Sequence, residues 1–452
     1  MKTLFQMQYN WHTREKGIIS LIKSYNINKN ELKQLNSYFK SNYVIQGKAN
    51  IVGVWLLFCS FGVLSMIIVG GYVRLTKSGL SMIRWDLTKI LPPLNKKEWD
   101  FEFNEYKKHP QFINDNPDMN IKQFKRIYYL EFIHRQMGKV LGIFFVFPFF
   151  YFLIKGYIKR ALIYNLCSLL AIGSLQGFLG WWMVKSGLKE SLGKNYKEKQ
   201  VKVAPYRLAL HFITAVSIYG VLLSTSLFLI QTHPILKRSI IEYKALGIAR
   251  HAVYSSLLWN LLTLITGSLM AGSYAGKIIN TFPKMGDIWF PSKKHLTNGY
   301  SINIYNDILN NQFIIHFNHR LIATVNLIAI VFNAFKIINI GIISPSVGIN
   351  YLVLLIATIF QYSLGIINIY SGCKIETAQL HQFIGMLSYS ICIFGIVLTR
   401  KARPNQMNKL ISFLLDKDRV KLINELKLLK NESPKIYNIY FINAVKNNNL
   451  NI

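Results

Sequence analysis

The sequence predicts an all-α membrane protein of eight transmembrane helices, arranged as two pseudo-repeated four-helix bundles. Three observations predict it. Apolar runs occupy about 51–73, 130–154, 161–184, 208–230, 250–272, 313–337, 347–371 and 378–399. Each is close to the ~20 residues that cross a hydrocarbon core as a helix, and lipid admits only helices or closed barrels. The composition joins 51% hydrophobic residues to a net charge of +33, as expected of apolar blocks separated by lysine-rich connections. Finally, the runs fall into two sets of four that carry similar signals in the same order.

Taken in order, residues 1–50 form an N-terminal extension compatible with a mitochondrial transit region. Arg14, Lys16, Lys23 and Lys29 stand against one acid, Glu15, although arginine and serine are scarce. Span one ends in Gly70-Gly71-Tyr72-Val73-Arg74-Leu75-Thr76. The connection to about residue 129 mixes acids and bases with Pro92-Pro93 and Trp99, which predicts an ordered extramembrane element rather than a disordered tether. Span two opens on Glu131-Phe132-Ile133-His134-Arg135. Span three contains Gln176-Gly177-Phe178-Leu179-Gly180-Trp181, and span four opens Tyr206-Arg207-Leu208-Ala209-Leu210-His211.

The second set repeats these signals. Span five ends Ala271-Gly272-Ser273-Tyr274, and span six opens on His316-Phe317-Asn318-His319-Arg320. Span seven contains Gln361-Tyr362-Ser363-Leu364-Gly365-Ile366, and span eight opens Thr377-Ala378-Gln379-Leu380-His381-Gln382. The domain reading is 51–230 for the first bundle, 250–399 for the second, and 400–452 for a polar, partly helical tail. Basic residues in the two-to-three turn, the four-to-five loop and the cluster after Thr399 place these on one membrane side with the N-terminus. The basic three-to-four loop opposes that assignment.

The lysines are dispersed among many loops, so nucleic-acid binding is discounted. Cys59, Cys167, Cys373 and Cys392 form no CxxC or CxxCH pattern, which leaves buried, inert thiols as the expectation.

The histidines carry the chemistry. Helices two and four run in the same direction, so His134 and His211 lie at one membrane face, and His319 and His381 repeat the arrangement. Paired imidazoles at one depth on facing helices suit a bis-histidine haem. A lone histidine at a helix end is more often a hydrogen-bonded interfacial residue, but four at matching places shift the balance. Zinc is disfavoured, because each half supplies two histidines and no cysteine pair. Glu131, three residues before His134, shares its helical face; His316 holds that place in the second half. Arg135 and Arg320 suit bidentate pairing with haem propionates, with interfacial snorkelling as the ordinary alternative.

These residues resemble the haem A synthase family, in its mitochondrial type also called cytochrome oxidase assembly factor fifteen. Gly70 to Met82 with Trp85, Glu131-Phe132-Ile133-His134-Arg135, Ala271 to Gly276 with Asn280-Thr281-Phe282-Pro283-Lys284-Met285-Gly286, Phe317-Asn318-His319-Arg320 and Leu380-His381-Gln382 carry the resemblance over roughly residues 50–400. It implies an inner-membrane oxidoreductase that converts the C8 methyl of haem O to a formyl group by successive hydroxylations, making haem A for cytochrome c oxidase. On that reading His319 and His381 hold haem B as cofactor, His134 and His211 flank the substrate haem, and Glu131 is the catalytic acid. The implied partners are the bilayer, haem O, a haem O synthase and an electron donor; a homo-oligomer is compatible. The sequence departs from the pattern at His316, where a residue such as glutamine is expected, so His316 competes with His319 as ligand. A membrane di-haem b-type electron carrier explains the paired histidines equally well. A transporter is disfavoured, because it would need broken helices at the midplane.

Overall fold

The computed structural model describes residues 29–85, 90–189, 203–231, 240–291, 309–340, 345–400, 412–416 and 419–432. Among them eight helices are long and apolar enough to cross a membrane. They are Ala49–Leu75, Ile121–Ile154, Arg160–Lys189, Pro205–Ile230, Ile240–Ser273, Gln312–Ile340, Pro345–Tyr370 and Ile375–Leu398, hereafter spans one to eight. Apart from isolated bridges, no strand occurs among the described residues.

Span two starts at Ile121, well before its apolar run at about residue 130. A capping box sets the start: Asn120 Oδ1 accepts from the Gln123 N–H and Gln123 Oε1 accepts from the Asn120 N–H, each at 3.0 Å. The added turns carry Phe124 and Tyr128 out of the apolar region into a buried cluster with Met82, Trp99, Phe103, Tyr106 and Phe132. That cluster packs the first connection, including its helices Lys96–Lys107 and Pro110–Asp115, against span two. The expected ordered extramembrane element is therefore present.

Within the first set, span one packs on two and four, and span three on four and two. In the second set, five packs on six and eight, and seven on six and eight. The sets meet through four against five, one against eight, and four against eight. Glycines let this seam close. A methyl group on Gly71 would lie 1.8 Å from Gln382 Oε1, one on Gly220 2.3 Å from the Tyr389 hydroxyl, and one on Gly272 2.9 Å from Pro205 Cα. Gln382 and Gln379 donate across the seam to the Ile67 and Ile68 carbonyls, each at 2.9 Å. Arg74, at the end of span one, donates to the Ala271 and Gly272 carbonyls at 3.2 and 3.0 Å. It thereby satisfies carbonyls that the end of span five leaves without helical donors.

At the opposite end the N-terminal segment is built into the fold. The Ile45 N–H donates to the Tyr157 carbonyl and the Lys159 N–H to the Tyr43 carbonyl. Lys40, closing the helix Lys29–Lys40, donates its ammonium to the Leu229 carbonyl. Burial, aided by the charge of Arg400, lowers the Lys40 pKa to about 8. Residues 1–28 of the expected extension lie outside the described residues. Arg250 donates to the Thr399 carbonyl and Arg400 to the Phe228 carbonyl, so the ends of spans four and eight gather here too. This is the side on which the charge count places them. The contrary loop after span three lies outside the described residues at 190–202, and most of the tail after Arg400 does as well. In that tail the helix Arg419–Glu432 buries Leu422 and Leu426.

The cysteine expectation needs correction. Cys59 and Cys392 are buried, but Cys167 is exposed and Cys373 only half-buried. An outward position on a membrane span meets lipid, so an apolar run places a thiol there as readily as inside. Cys373 closes a turn with φ of 57°.

Candidate functional site

Four histidines stand at one end of the molecule, one each on spans two, four, six and eight. Each imidazole meets a glycine of the preceding span. Measured from where a glycine Cβ would stand, the ring Cε1 is 2.9 Å away at Gly70 for His134 and 3.4 Å at Gly180 for His211. The corresponding distances are 3.1 Å at Gly267 for His319 and 3.1 Å at Gly365 for His381. A methyl group would crowd the ring at Gly70, Gly267 and Gly365, and would meet it at about ordinary contact distance at Gly180. Gly70, Gly180 and Gly365 stand in the recurring motifs, but nothing in those motifs reveals this role, and Gly267 lies outside them. The signal that could have found them is a glycine at matching depth on each preceding span.

The His319 and His381 ring centres are 6.4 Å apart, with ring planes at 87°. Metal–imidazole bonds of about 2 Å put two axial ring centres roughly 6 Å apart, so this separation admits a metal between the rings. Thr266 Oγ1 lies 3.0 Å from His319 Nδ1, the kind of outer contact that fixes the tautomer and orientation of a ligating histidine. Gln361 Nε2 is 3.5 Å from His381 Nε2. In the first half, Gln176 donates to the His211 carbonyl at 3.2 Å and to Thr214 Oγ1 at 2.6 Å.

The donor set decides what kind of group fits. The Nδ1 atoms of His134, His211, His316 and His381 are buried without a hydrogen-bond partner, a costly state for a buried ring. Yet no group of three or more His, Cys, Asp or Glu side chains capable of holding a bare metal ion occurs among the described residues. Two imidazoles per site suit a metal that brings its own equatorial ligands, as haem does.

His316 stands apart from this pairing. It is fully buried, and its Nε2 accepts from Arg320 Nε at 3.0 Å. Arg320 also donates to the Lys284 carbonyl at 3.2 Å, with longer contacts to Pro283 and Ile279. His319, not His316, faces His381.

Glu131 is placed differently from a carboxyl sharing open space with His134. It is buried, and its Oε2 accepts three hydrogen bonds at 2.8 Å, from the Ser81 N–H, the Ser81 hydroxyl and the Met82 N–H. Its Oε1 pairs with Arg135 at 2.5 Å. Arg135 donates in turn to the Met82 and Arg84 carbonyls at 2.9 and 3.1 Å, and its guanidinium lies over the Trp85 ring. Both arginines are thus engaged with backbone of the loop that precedes their own span.

The sequence model of the COX15-CtaA family, described as cytochrome oxidase assembly protein, matches residues 53–393. The chain belongs to this family. A relative from Arabidopsis thaliana named Heme A synthase COX15 is 42% identical over 280 residues, 62% of this chain and 59% of its own length. The Heme A synthase of Rhodospirillum centenum is 33% identical over 77% of this chain and 88% of its own length. Heme A synthase COX15 of Saccharomyces cerevisiae is 32% identical over 80% and 78%. The chain spans less than two thirds of the first two relatives it matches, 59% of the Arabidopsis thaliana protein and 66% of the Homo sapiens one. The family match runs through all eight spans and takes in every histidine and glycine described here.

The two histidine pairs also approach one another. Gly70, against His134, is followed by Gly71, which packs on Gln382, the neighbour of His381. Spans one and eight therefore link the sites through two adjacent pairs of residues.

Proposed function

We propose that this chain is a haem A synthase of the mitochondrial inner membrane, oxidising the C8 methyl of haem O to a formyl group by successive hydroxylations. The reading rests on one observation above all: His134 with His211 and His319 with His381 stand at the same end of the membrane domain, and among the described residues no group of three or more His, Cys, Asp or Glu side chains that could hold a bare metal ion occurs. Residues 250–399 are assigned the cofactor, where His319 and His381 would hold haem B. Residues 51–230 are assigned the substrate, with His134 and His211 flanking haem O. When bound, the haem groups supply the redox chemistry.

The chain's own residues then bind, orient and enclose. Thr266 sets the His319 ring, Gln176 ties span three to the backbone at His211, and the four glycines leave room for the rings. Glu131 keeps its assignment to the reaction, and its contacts support a positioning role. Three donors occupy Oε2 and Arg135 holds Oε1, so it acts by fixing residues 81–82 and Arg135 at the His134 site. Arg135 and Arg320 keep their proposed place beside the propionates as side chains oriented by loop carbonyls, with only their remaining N–H groups for a ligand. The link through Gly70–Gly71 and His381–Gln382 is the short contact path by which the second site serves the first. An electron donor, a haem O synthase and self-association complete the proposed partners.

Extraction and chromatographic identification of the haems in purified protein, with a pyridine haemochrome spectrum, tests the proposal. Haem B together with haem O, its hydroxylated form or haem A is expected. Haem B alone at two per chain would replace the synthase by a di-haem electron carrier, and absence of haem would defeat the histidine argument.

A further inference from the structure

One heptad further into the membrane from each site residue, the two halves differ completely. In an α-helix residues seven apart return to nearly the same face. Counting inward from Gly267, His319, Gly365 and His381 gives Asn260, Asn326, Thr358 and Ser388, all polar. Counting from Gly70, His134, Gly180 and His211 gives Val63, Leu141, Gly173 and Ile218, none of them polar. The four polar residues belong to the four helices of the second half, and all are buried, Asn260 and Asn326 with 5% exposure.

This layer has acceptors without donors. Asn260 Oδ1 and Asn326 Oδ1 are buried with no hydrogen-bond partner, as is Gln361 Oε1 one level nearer the site. The hydroxyls of Thr358 and Ser388 do not serve them, because each donates to a carbonyl of its own helix, Leu354 and Ile384. A buried amide oxygen left unmet costs free energy, and the small molecule that donates twice and fits between side chains is water. Polar groups continue inward. Ser256 Oγ lies 2.5 Å from the Tyr351 hydroxyl, and Asn333 Nδ2 donates to the Ala252 carbonyl at 3.3 Å and to Ser256 Oγ at 3.4 Å. His319, Asn326 and Asn333 stand at successive heptads of span six. At the same depth the first half is filled by Trp55, Leu56, Phe145, Phe149 and Leu166.

We infer that the second half holds a column of bound water, coordinated by Asn260, Asn326, Gln361 and the Ser256–Tyr351–Asn333 group, that gives the His319–His381 site water access toward the basic end of the molecule. The first half has an orphaned acceptor only at the matching glutamine, Gln176 Oε1, and no polar layer a heptad below its site to carry a column inward. The inference does not depend on the identity of the haems.

Radiolytic labelling of the purified full chain in ¹⁸O-water, read by mass spectrometry, tests it with water itself as the probe. Tyr351 should take up label several-fold more than Phe149, a buried aromatic of the first half. Labelling of Tyr351 no higher than that of Phe149 overturns the column. Asn260→Leu and Asn326→Leu should each lower Tyr351 labelling several-fold while leaving Trp99 in the first loop unchanged. Unaltered labelling of Tyr351 in these variants overturns the assignment of the asparagines. Asn326→Val, a smaller replacement, carries the same expectation should the leucine variants fail to fold, and the wild-type comparison stands without any variant.

Discussion

Replacing Glu131 by Gln keeps the shape of the side chain and removes its charge. The amide oxygen can take the place of Oε2 and still accept from Ser81 and Met82. Its NH₂ group then faces Arg135 Nη2 across the 2.5 Å that the ion pair now spans, donor against donor. Turning the amide round moves the conflict to the three loop donors. Breaking a buried pair by neutralising one partner costs about 3–5 kcal/mol. The lower end applies here, because Arg135 retains the Met82 and Arg84 carbonyls. If the loop opens locally, a loss of about 3 kcal/mol speeds amide exchange at Ser81 and Met82 by roughly 100-fold, at tenfold per 1.4 kcal/mol. Hydrogen–deuterium exchange of a peptide covering Lys77 to Trp85 reads this directly. Haem content should be retained, because the described contacts of Glu131 are with the loop and Arg135, and haem A formation should be lost. Exchange within threefold of wild type would refute the loop-fixing role, and an unchanged yield of haem A would remove Glu131 from the reaction altogether.

The remaining predictions concern the seam, the ligands and the basic end. Gly71→Ala forces Gln382 to move, with an overpacking cost of about 1–3 kcal/mol and loss of its bond to the Ile67 carbonyl at about 1 kcal/mol. Its melting temperature, followed by haem absorbance, should fall clearly, and an unchanged value would mean that the seam is not tightly closed. His381→Ala should remove one class of haem spectrum and leave the other, while His134→Ala should do the reverse; if either variant lost both equally, the sites would not be separate. Lys40 has its pKa lowered by burial from 10.5 to about 8, so between these values the unfolded chain binds the proton more tightly. Its contribution therefore raises stability as pH climbs through that window and is lost as pH falls through 8. In Lys40→Met that increment should disappear from the pH–stability curve, and an identical curve would place the titration elsewhere.

The parts of the fold written in short-range pattern were legible. Eight apolar runs become eight helices because length and composition alone decide whether a segment can span lipid. The four histidines were legible because each sits in a local signal that recurs. What escaped depends on residues far apart in the chain. Ser81 and Met82 reach Glu131 from about fifty positions away, so spacing on span two could suggest which face Glu131 shares but not which atoms would fill its oxygens. Likewise the loops held by Arg135 and Arg320 could not be paired from sequence with those side chains. The early start of span two is a different miss, since Asn120 and Gln123 form a visible capping signal outside the apolar window.

The two halves place an arginine four residues after Glu131 in one case and after His316 in the other, and in both it turns to loop backbone. Its partner makes the difference. In the first half the partner is a carboxylate that also grips residues 81–82, so one buried pair locks span two to the loop above the His134 site. In the second half His316 accepts from Arg320, and the loop at 279–284 is held by the arginine and by Tyr370, whose hydroxyl donates to the Phe282 carbonyl at 2.8 Å, with no carboxylate in the network. The interiors differ in a complementary way, with aromatic and aliphatic packing beneath the first site and amide and hydroxyl groups set among aliphatic side chains beneath the second. Under the proposed function this inequality is what a synthase needs. A substrate site gains from a firmly held loop and a dry floor that keep water from the reacting edge. A cofactor site that cycles between oxidation states gains from polar groups and water that accommodate the change of charge. Two permanent electron-carrying haems would place no such unequal demands on the halves, so the physical asymmetry argues for one site that turns over and one that stays loaded.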